Sequence, residues 1–343
     1  MEGVNFSNIS RFAAAYCSRA TTTTLLAFAV VLNSADVSAT PYDYSPIDYP
    51  GAIGTLVYGT NNTGTMVGAY QNSSGDYLAF AYDGIAWNSL QYAGAISTAA
   101  YGINDSGMIV GTYRDAGAID HGFTYDGLSW TSLDYTGATS TQFYGVNDNG
   151  TIVGNYRDAS GLYHGITYDG LAWNTYDYVS AVSTTIFGIN DAETIVGSYL
   201  DTSGMVHGIT YDGVSWASLD YTGADSTVIR GINDAGQVVG GYVDTGGSHG
   251  FIYDGSSWTE LAYPSATSYT IATAINDYGT VAGMYLDANS AHGFIATPVS
   301  VPEPTTLLLM IAGVFSLVWA RQRNSTDRAH ISWDSHSTTV DRV

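Results

Sequence analysis

Cysteine is almost missing from this chain of 343 residues. The only one, Cys17, lies in an N-terminal stretch expected to be removed, so the mature protein has neither a disulfide nor a thiolate to work with. Lysine is absent between residues 40 and 300, where three arginines (Arg114, Arg157, Arg230) stand against twenty-five acidic side chains, a balance of about −22. A surface of that sign repels phosphate backbones and anionic headgroups, which excludes nucleic acid as a partner and favours solubility and the attraction of cations. Apolar runs are few: Leu25 to Leu32 near one end, Thr305 to Ala320 near the other.

Glycine is plentiful, with 40 residues. That is well above the usual roughly 7% and points to many tight turns, hence to an all-β chain. A hydrophobic content of 45% rules out disorder.

The stretch Thr141 to Ser183 has close copies on both sides. A signature asparagine falls at Asn61, Asn104, Asn147, Asn190, Asn233 and Asn276, a spacing of 43 residues. Such a period means one supersecondary unit repeated within one cooperative body. In the copy at Thr141, four β-runs follow one another: FYGVN, closed by a turn at Asn147–Gly150; TIVGNYR; HGITY, closed by a two-residue hairpin turn at Asp169–Gly170; and AWNTYDY. The unit is therefore a four-stranded antiparallel meander. Adjacent residues such as Ile152 and Val153 are both apolar yet point to opposite faces, so each sheet must be sandwiched between copies of itself.

An open solenoid and a closed propeller both satisfy that, and the ends decide. The sixth copy stops after His292-Gly293-Phe294 without a fourth strand, while Tyr42 to Ala52 resembles a repeat's tail, with Asp48-Tyr49 matching Asp134-Tyr135. The expectation is a six-bladed β-propeller over residues 40–300, with four-stranded antiparallel blades. The N-terminal strand completes the last blade, Pro46 to Tyr49 lying beside His292 to Ala296.

Residues 1–39 read as a signal peptide: Arg11 and Arg19, the run Leu25–Leu32, and Val37-Ser38-Ala39 before the cut. Residues 301–323 carry Pro302-Glu303-Pro304, the apolar run expected to form one hydrophobic helix, and Arg321 and Arg323; residues 324–343 are a polar tail. The recurrent G-[IV]-N-D-x-G-x-[IV]-V-G-x-Y followed by H-G-[FI] resembles the HAF repeat of bacterial extracellular proteins. VPEPTTLLLMIAGVFSLVWARQR resembles the PEP-CTERM sorting signal of Gram-negative bacteria, found with exosortase and exopolysaccharide genes; members of that family usually stop at the basic cluster, whereas this chain runs on for twenty residues after Arg323. These resemblances imply export, an exosortase-type processing protease as partner, release or attachment at the cell surface, and membrane contact only through the C-terminal segment. They imply no enzymatic activity for the repeats.

Once-per-repeat residues favour scaffolding. His121, His164, His207, His249 and His292 are expected to be hydrogen-bonded packing residues, because neighbouring sheets lie about 10 Å apart and could not share a zinc with Zn–N near 2.1 Å. The Asn-Asp pairs are expected to make Asx-turns rather than calcium sites. Trp87, Trp130, Trp173, Trp216 and Trp258 are expected to pack blade on blade.

Departures from symmetry are the candidate ligand-binding positions. Before the first-strand glycine stand Tyr58, Tyr101, Tyr144 and Phe187, but then Arg230 and Thr273. Arg114-Asp115 and Arg157-Asp158 occur only in the second and third repeats, in loops expected to share a face with the connections between repeats. Each arginine is either paired with its adjacent aspartate or part of a rim for an acidic or neutral glycan. Two function classes follow: a non-catalytic surface propeller that binds exopolysaccharide or other matrix components, needing no cofactor or metal, or a propeller enzyme such as a quinoprotein-like dehydrogenase or polysaccharide lyase. No G-x-S-x-G, H-E-x-x-H or unrepeated His-Asp-Glu group supports the second.

Overall fold

The computed structural model describes residues 42–267, 269–299 and Ser316. The signal peptide at 1–39, the sorting segment at 301–323 with its helix, and the tail at 324–343 lie outside the described residues, Ser316 excepted. Among the described residues no helix is long and apolar enough to cross a membrane.

The chain is all-β. After β1 (Tyr42–Ile47), the first repeat supplies β2 (Gly54–Thr60), β3 (Met66–Gln71), β4 (Tyr77–Tyr82) and β5 (Trp87–Leu90), hydrogen-bonded in that order as an antiparallel meander. Met66 to Tyr70 in β3 are all buried, which is what a strand covered on both faces must show. The glycine in the middle of β3 follows from the same packing: a Cβ on Gly68 would collide with the Leu56 carbonyl oxygen and the Phe80 ring. The tryptophans differ from expectation: each packs first on its own sheet, Trp87 on Tyr82 at 4.2 Å and Trp130 on Tyr125 at 4.6 Å, because those residues pair across the hairpin. Each also meets the tyrosine of the preceding connection, at 5.2 Å (Tyr49) and 5.6 Å (Tyr92).

Successive meanders stand around a channel lined by their first strands, and the ring closes as a β-propeller of four-stranded blades. Free-standing four-stranded sheets number four, not six, because the last two meanders merge into one eight-stranded sheet. The cause is local. The hairpin of the fifth repeat runs on to Asp244↔Gly247, its loop reduced to Thr245 and Gly246, and this carries Ser248 into a single parallel bridge with Tyr269.

β1 closes the ring by pairing with Ala291–Pro298, from Tyr42↔Pro298 to Ile47↔Gly293. It starts and ends earlier than expected, since Asp48 and Tyr49 lie beyond the strand. They act as fasteners: Asp48 Oδ1 lies 2.9 Å from His292 Nδ1, and Tyr49 stacks on Tyr70 at 3.7 Å. The Asp169–Gly170 turn also differs from expectation. Tyr168 pairs with Trp173, so four residues make the connection, with Asp169 Oδ1 accepting from the Leu171 and Ala172 amides at 2.8 and 2.7 Å.

Deleting residues 41–50 should strip the last blade of its outer strand and lower the melting temperature by on the order of 10 °C or more, since several kcal/mol are lost at roughly 2–4 °C each; a melt within a few degrees of wild type would show that the strand does not close the ring. Ser180, exposed with φ 66°, occupies a turn position held by Gly51, Gly94, Gly137 and Gly223 elsewhere. Ser180→Gly should therefore stabilise by roughly 0.5 kcal/mol, the relieved left-handed strain exceeding the added unfolded-state entropy, and a denaturant melt reads this directly.

Candidate functional site

One mouth of the channel is built from the first turn of every repeat. Asn61 Oδ1 accepts from Thr65 N at 2.9 Å, the expected Asx-turn, but its Nδ2 reaches across to the Asn104 carbonyl at 3.0 Å. The same step recurs from Asn104 to Asn147, Asn147 to Asn190, Asn190 to Asn233, Asn233 to Asn276, and Asn276 back to Asn61 at 3.0–3.2 Å. Six buried amides thus form a closed circle. A second circle runs beside it: backbone N–H groups, beginning with Asp105 N to Asp148 Oδ1 at 2.7 Å, donate to the carboxylate one repeat on, and Asp277 N donates to Asn62 Oδ1 at 2.9 Å. Its sixth member is Asn62, whose Nδ2 donates to both Asp105 and Asp277, at 2.9 and 2.7 Å. A neutral bridge there relieves a ring of five carboxylates. Asp148 and Asp234 are nevertheless held above their ordinary values, by burial first and by the neighbouring aspartates second.

The histidines are fasteners of the opposite face. His164 stacks on Tyr156 at 4.9 Å, with Nδ1 2.9 Å from Asp177 and Nε2 3.4 Å from Asp158; His121 is held likewise by Asp134 and Asp115. This assigns Asp115 and Asp158, which are not the partners of the preceding arginines. Arg114 instead makes a bidentate pair with Asp120, Nε–Oδ1 2.6 Å and Nη2–Oδ2 3.0 Å, because Asp120 faces it across the hairpin. Arg157 donates from Nε to the Gly161 carbonyl at 3.0 Å and lies over the Tyr163 ring at 5.8 Å.

Inside the channel the symmetry-breaking residues do come together. Tyr58 falls at a register shift between Val57 and Gly59, and the same bulge places Tyr101, Tyr144, Phe187, Arg230 and Thr273. A bulge re-aims its extra residue, and here all six line one constriction. Arg230 lies over Phe187 at 5.1 Å, and its Nε is buried without a hydrogen-bond partner. Burial holds the Tyr58, Tyr101 and Tyr144 phenols above their ordinary values, so they remain O–H donors.

Tyr58 and Tyr101 also wall a cavity of about 410 Å³ between the first and second repeats. Arg114, Asp120, Thr112 and Gln142 line it too, and a chain of hydrogen bonds joins it to the channel: Tyr144 Oη donates to Gln142 Oε1 at 2.9 Å, and Gln142 Nε2 to Asp120 Oδ2 at 3.0 Å. Of the sequence candidates, Arg114 and Tyr101 line the cavity and Tyr144 reaches it through Gln142; Tyr144 and Arg230 belong to the channel constriction, while Arg157 makes neither lining. Asp120 and Gln142 escaped notice. The signal was available, since the positions matching Asp120 hold Tyr77, Tyr163, Val206, Ser248 and Ala291.

Stability should depend on pH through these fasteners. The Asp220 carboxylate raises the His207 imidazole; at His121 and His164 burial opposes protonation, but Asp134 and Asp177 outweigh it. A raised histidine stabilises the fold fully below its unfolded value of about 6.5, and that share is lost as pH rises through the folded value. Raised Asp148 and Asp234 act in the same sense. Asp158 and Asp201, pushed down to about 2 chiefly by the Ser160 and Ser203 hydroxyls, act oppositely below about pH 4. Thermal melts should thus rise from pH 8 to about pH 5 and fall again below about pH 4; a flat profile would remove the histidine–carboxylate clamps from the stability account.

No family model and no curated protein sequence matches the chain. Among solved structures it is similar to AofleA from Arthrobotrys oligospora, with 12% identity, a TM-score of 0.51 and coverage of 78% of this chain and 93% of that one. It is also similar to the Aleuria aurantia lectin, a six-bladed propeller with fucose recognition (12% identity, TM-score 0.46, 73% and 97% covered), and to Trypanosoma rangeli sialidase, solved with sialic acid (11%, 0.47, 89% and 63%). At such identities the likeness is one of fold alone.

Proposed function

We propose that the protein is an exported, non-catalytic six-bladed propeller that binds extracellular polysaccharide. The six-fold count takes the eight-stranded sheet as two blades, as the six-membered asparagine circle supports. The observation that carries the binding reading is the 410 Å³ cavity at the channel, within the ~300–1,000 Å³ of small-molecule sites and walled by tyrosines around a few convergent polar groups. Histidines and aspartates that could serve as acid and base are committed to the fastenings of each repeat, which favours binding over catalysis.

Export and surface display rest on the HAF-like repeats and on the sequence at both ends. We take residues 1–39 to be removed on secretion. The Thr305–Ala320 run then holds the precursor with Arg321 and Arg323 inside, and an exosortase-type protease cuts near Pro302-Glu303-Pro304. Intact mass of the surface protein tests this: a form ending near residue 303 is expected, and one still carrying Arg321 to Val343 would mean a permanent tether. For the binding role, the purified protein should bind its host's exopolysaccharide saturably and show no retention of DNA at moderate salt. Failure to bind any host polymer would overturn the reading.

A further inference from the structure

The cavity between the first two repeats owes its existence to two small side chains. Ala69 of β3 faces Ala99 of the next repeat across it. At two other interfaces the matching pair is in contact: Asn155 with Thr185 at 3.4 Å, and Gly241 with Ile271, whose Cγ1 would lie 2.9 Å from an added Cβ. The interface of the first two repeats is left open at this level, and it gathers Arg114, Asp120, Gln142 and two channel tyrosines.

We propose that this cavity is a subsite for one neutral sugar residue, a pyranose offering adjacent hydroxyls, and that it discriminates against uronic acids. This rests on the polysaccharide-binding reading above. The arginine is not a free cation, since its Nε and Nη2 are matched to Asp120 at 2.6 and 3.0 Å. A sugar carboxylate held by the other N–H groups would lie beside the Asp120 carboxylate, whose side chain is only 16% exposed, in a body of about −22, and the like charges repel. Hydroxyls meet no such repulsion. One can donate to a spare Asp120 lone pair while its neighbour accepts from a guanidinium N–H that Asp120 leaves free, an alternation that a carboxylate, acceptor only, cannot meet.

Tyr58, Tyr101 and the half-exposed Tyr77 give the apolar C–H face of the ring its wall.

The test uses the purified protein on immobilised host exopolysaccharide, competed with glucose, galactose and mannose against glucuronate and galacturonate, alongside direct calorimetry. Neutral sugars should compete at least tenfold better than their uronates. Ala99→Leu places in the second repeat the side chain that the first carries at the matching Leu56, so it should fold with an unchanged melt and lose neutral-sugar binding at least tenfold. Asp120→Asn should weaken it several-fold. Polymer binding that persists undiminished in Ala99→Leu, or competition by uronates alone, or by no monosaccharide, would overturn the subsite and leave the polysaccharide reading standing. A wild-type protein that binds no polymer and no sugar would remove both.

Discussion

Every repeat depends on an amide of the repeat before it. The buried Asn side chain satisfies its own turn through Oδ1 and the next turn's carbonyl through Nδ2, so the circle of six has no free end. Each such bond contributes only about 0.5–1.5 kcal/mol net, but a missing member leaves a buried acceptor unpaired at about 1–3 kcal/mol. The circle therefore makes closure nearly all-or-none. It also fixes the height of each first strand against its neighbours, which is why the bulges just beyond it deliver Tyr58, Tyr101, Tyr144, Phe187, Arg230 and Thr273 to one level of the channel.

Much of this was legible because the repeat is strict. The closing strand could be placed because Asp48-Tyr49 copies Asp134-Tyr135, and in the structure those residues clamp His292 and Tyr70 as their counterparts clamp the histidine and tyrosine of other repeats. The circles were not legible. Their partners lie 43 residues apart at equivalent positions, and nothing in one repeat's pattern tells an Asx-turn from an Asx-turn whose amide also reaches outward.

The arginines show a different failure. Arg114 and Asp115 are adjacent in sequence, but residues next to each other along a strand point apart, while Asp120, six positions on, lies directly opposite across the hairpin. Asp115 turns instead to cap its loop, accepting from Gly117 and Ile119, and to face His121. Charge proximity in sequence was thus a poor guide, and the register of the hairpin the right one. The merged sheet escaped for a related reason, since a shorter loop in the fifth repeat lengthens a hairpin by backbone pairing alone.

Strict repetition and an open interface belong together. The sandwiched strands leave no room within each sheet: a Cβ at Gly111, Gly154, Gly197, Gly240 or Gly283 would strike backbone, as at Gly68. A hole sealed within such packing would be costly, on the order of 24 cal/mol per Å³. The Ala69–Ala99 gap avoids that penalty because it opens to solvent and is lined in part by charge already neutralised within Arg114–Asp120. The ring can give up contact at this interface because the asparagine circle holds the neighbouring repeats in register without it. Rigidity at that mouth is what lets the gap keep its shape, and a gap of fixed shape can bind a small ligand without first paying to order itself.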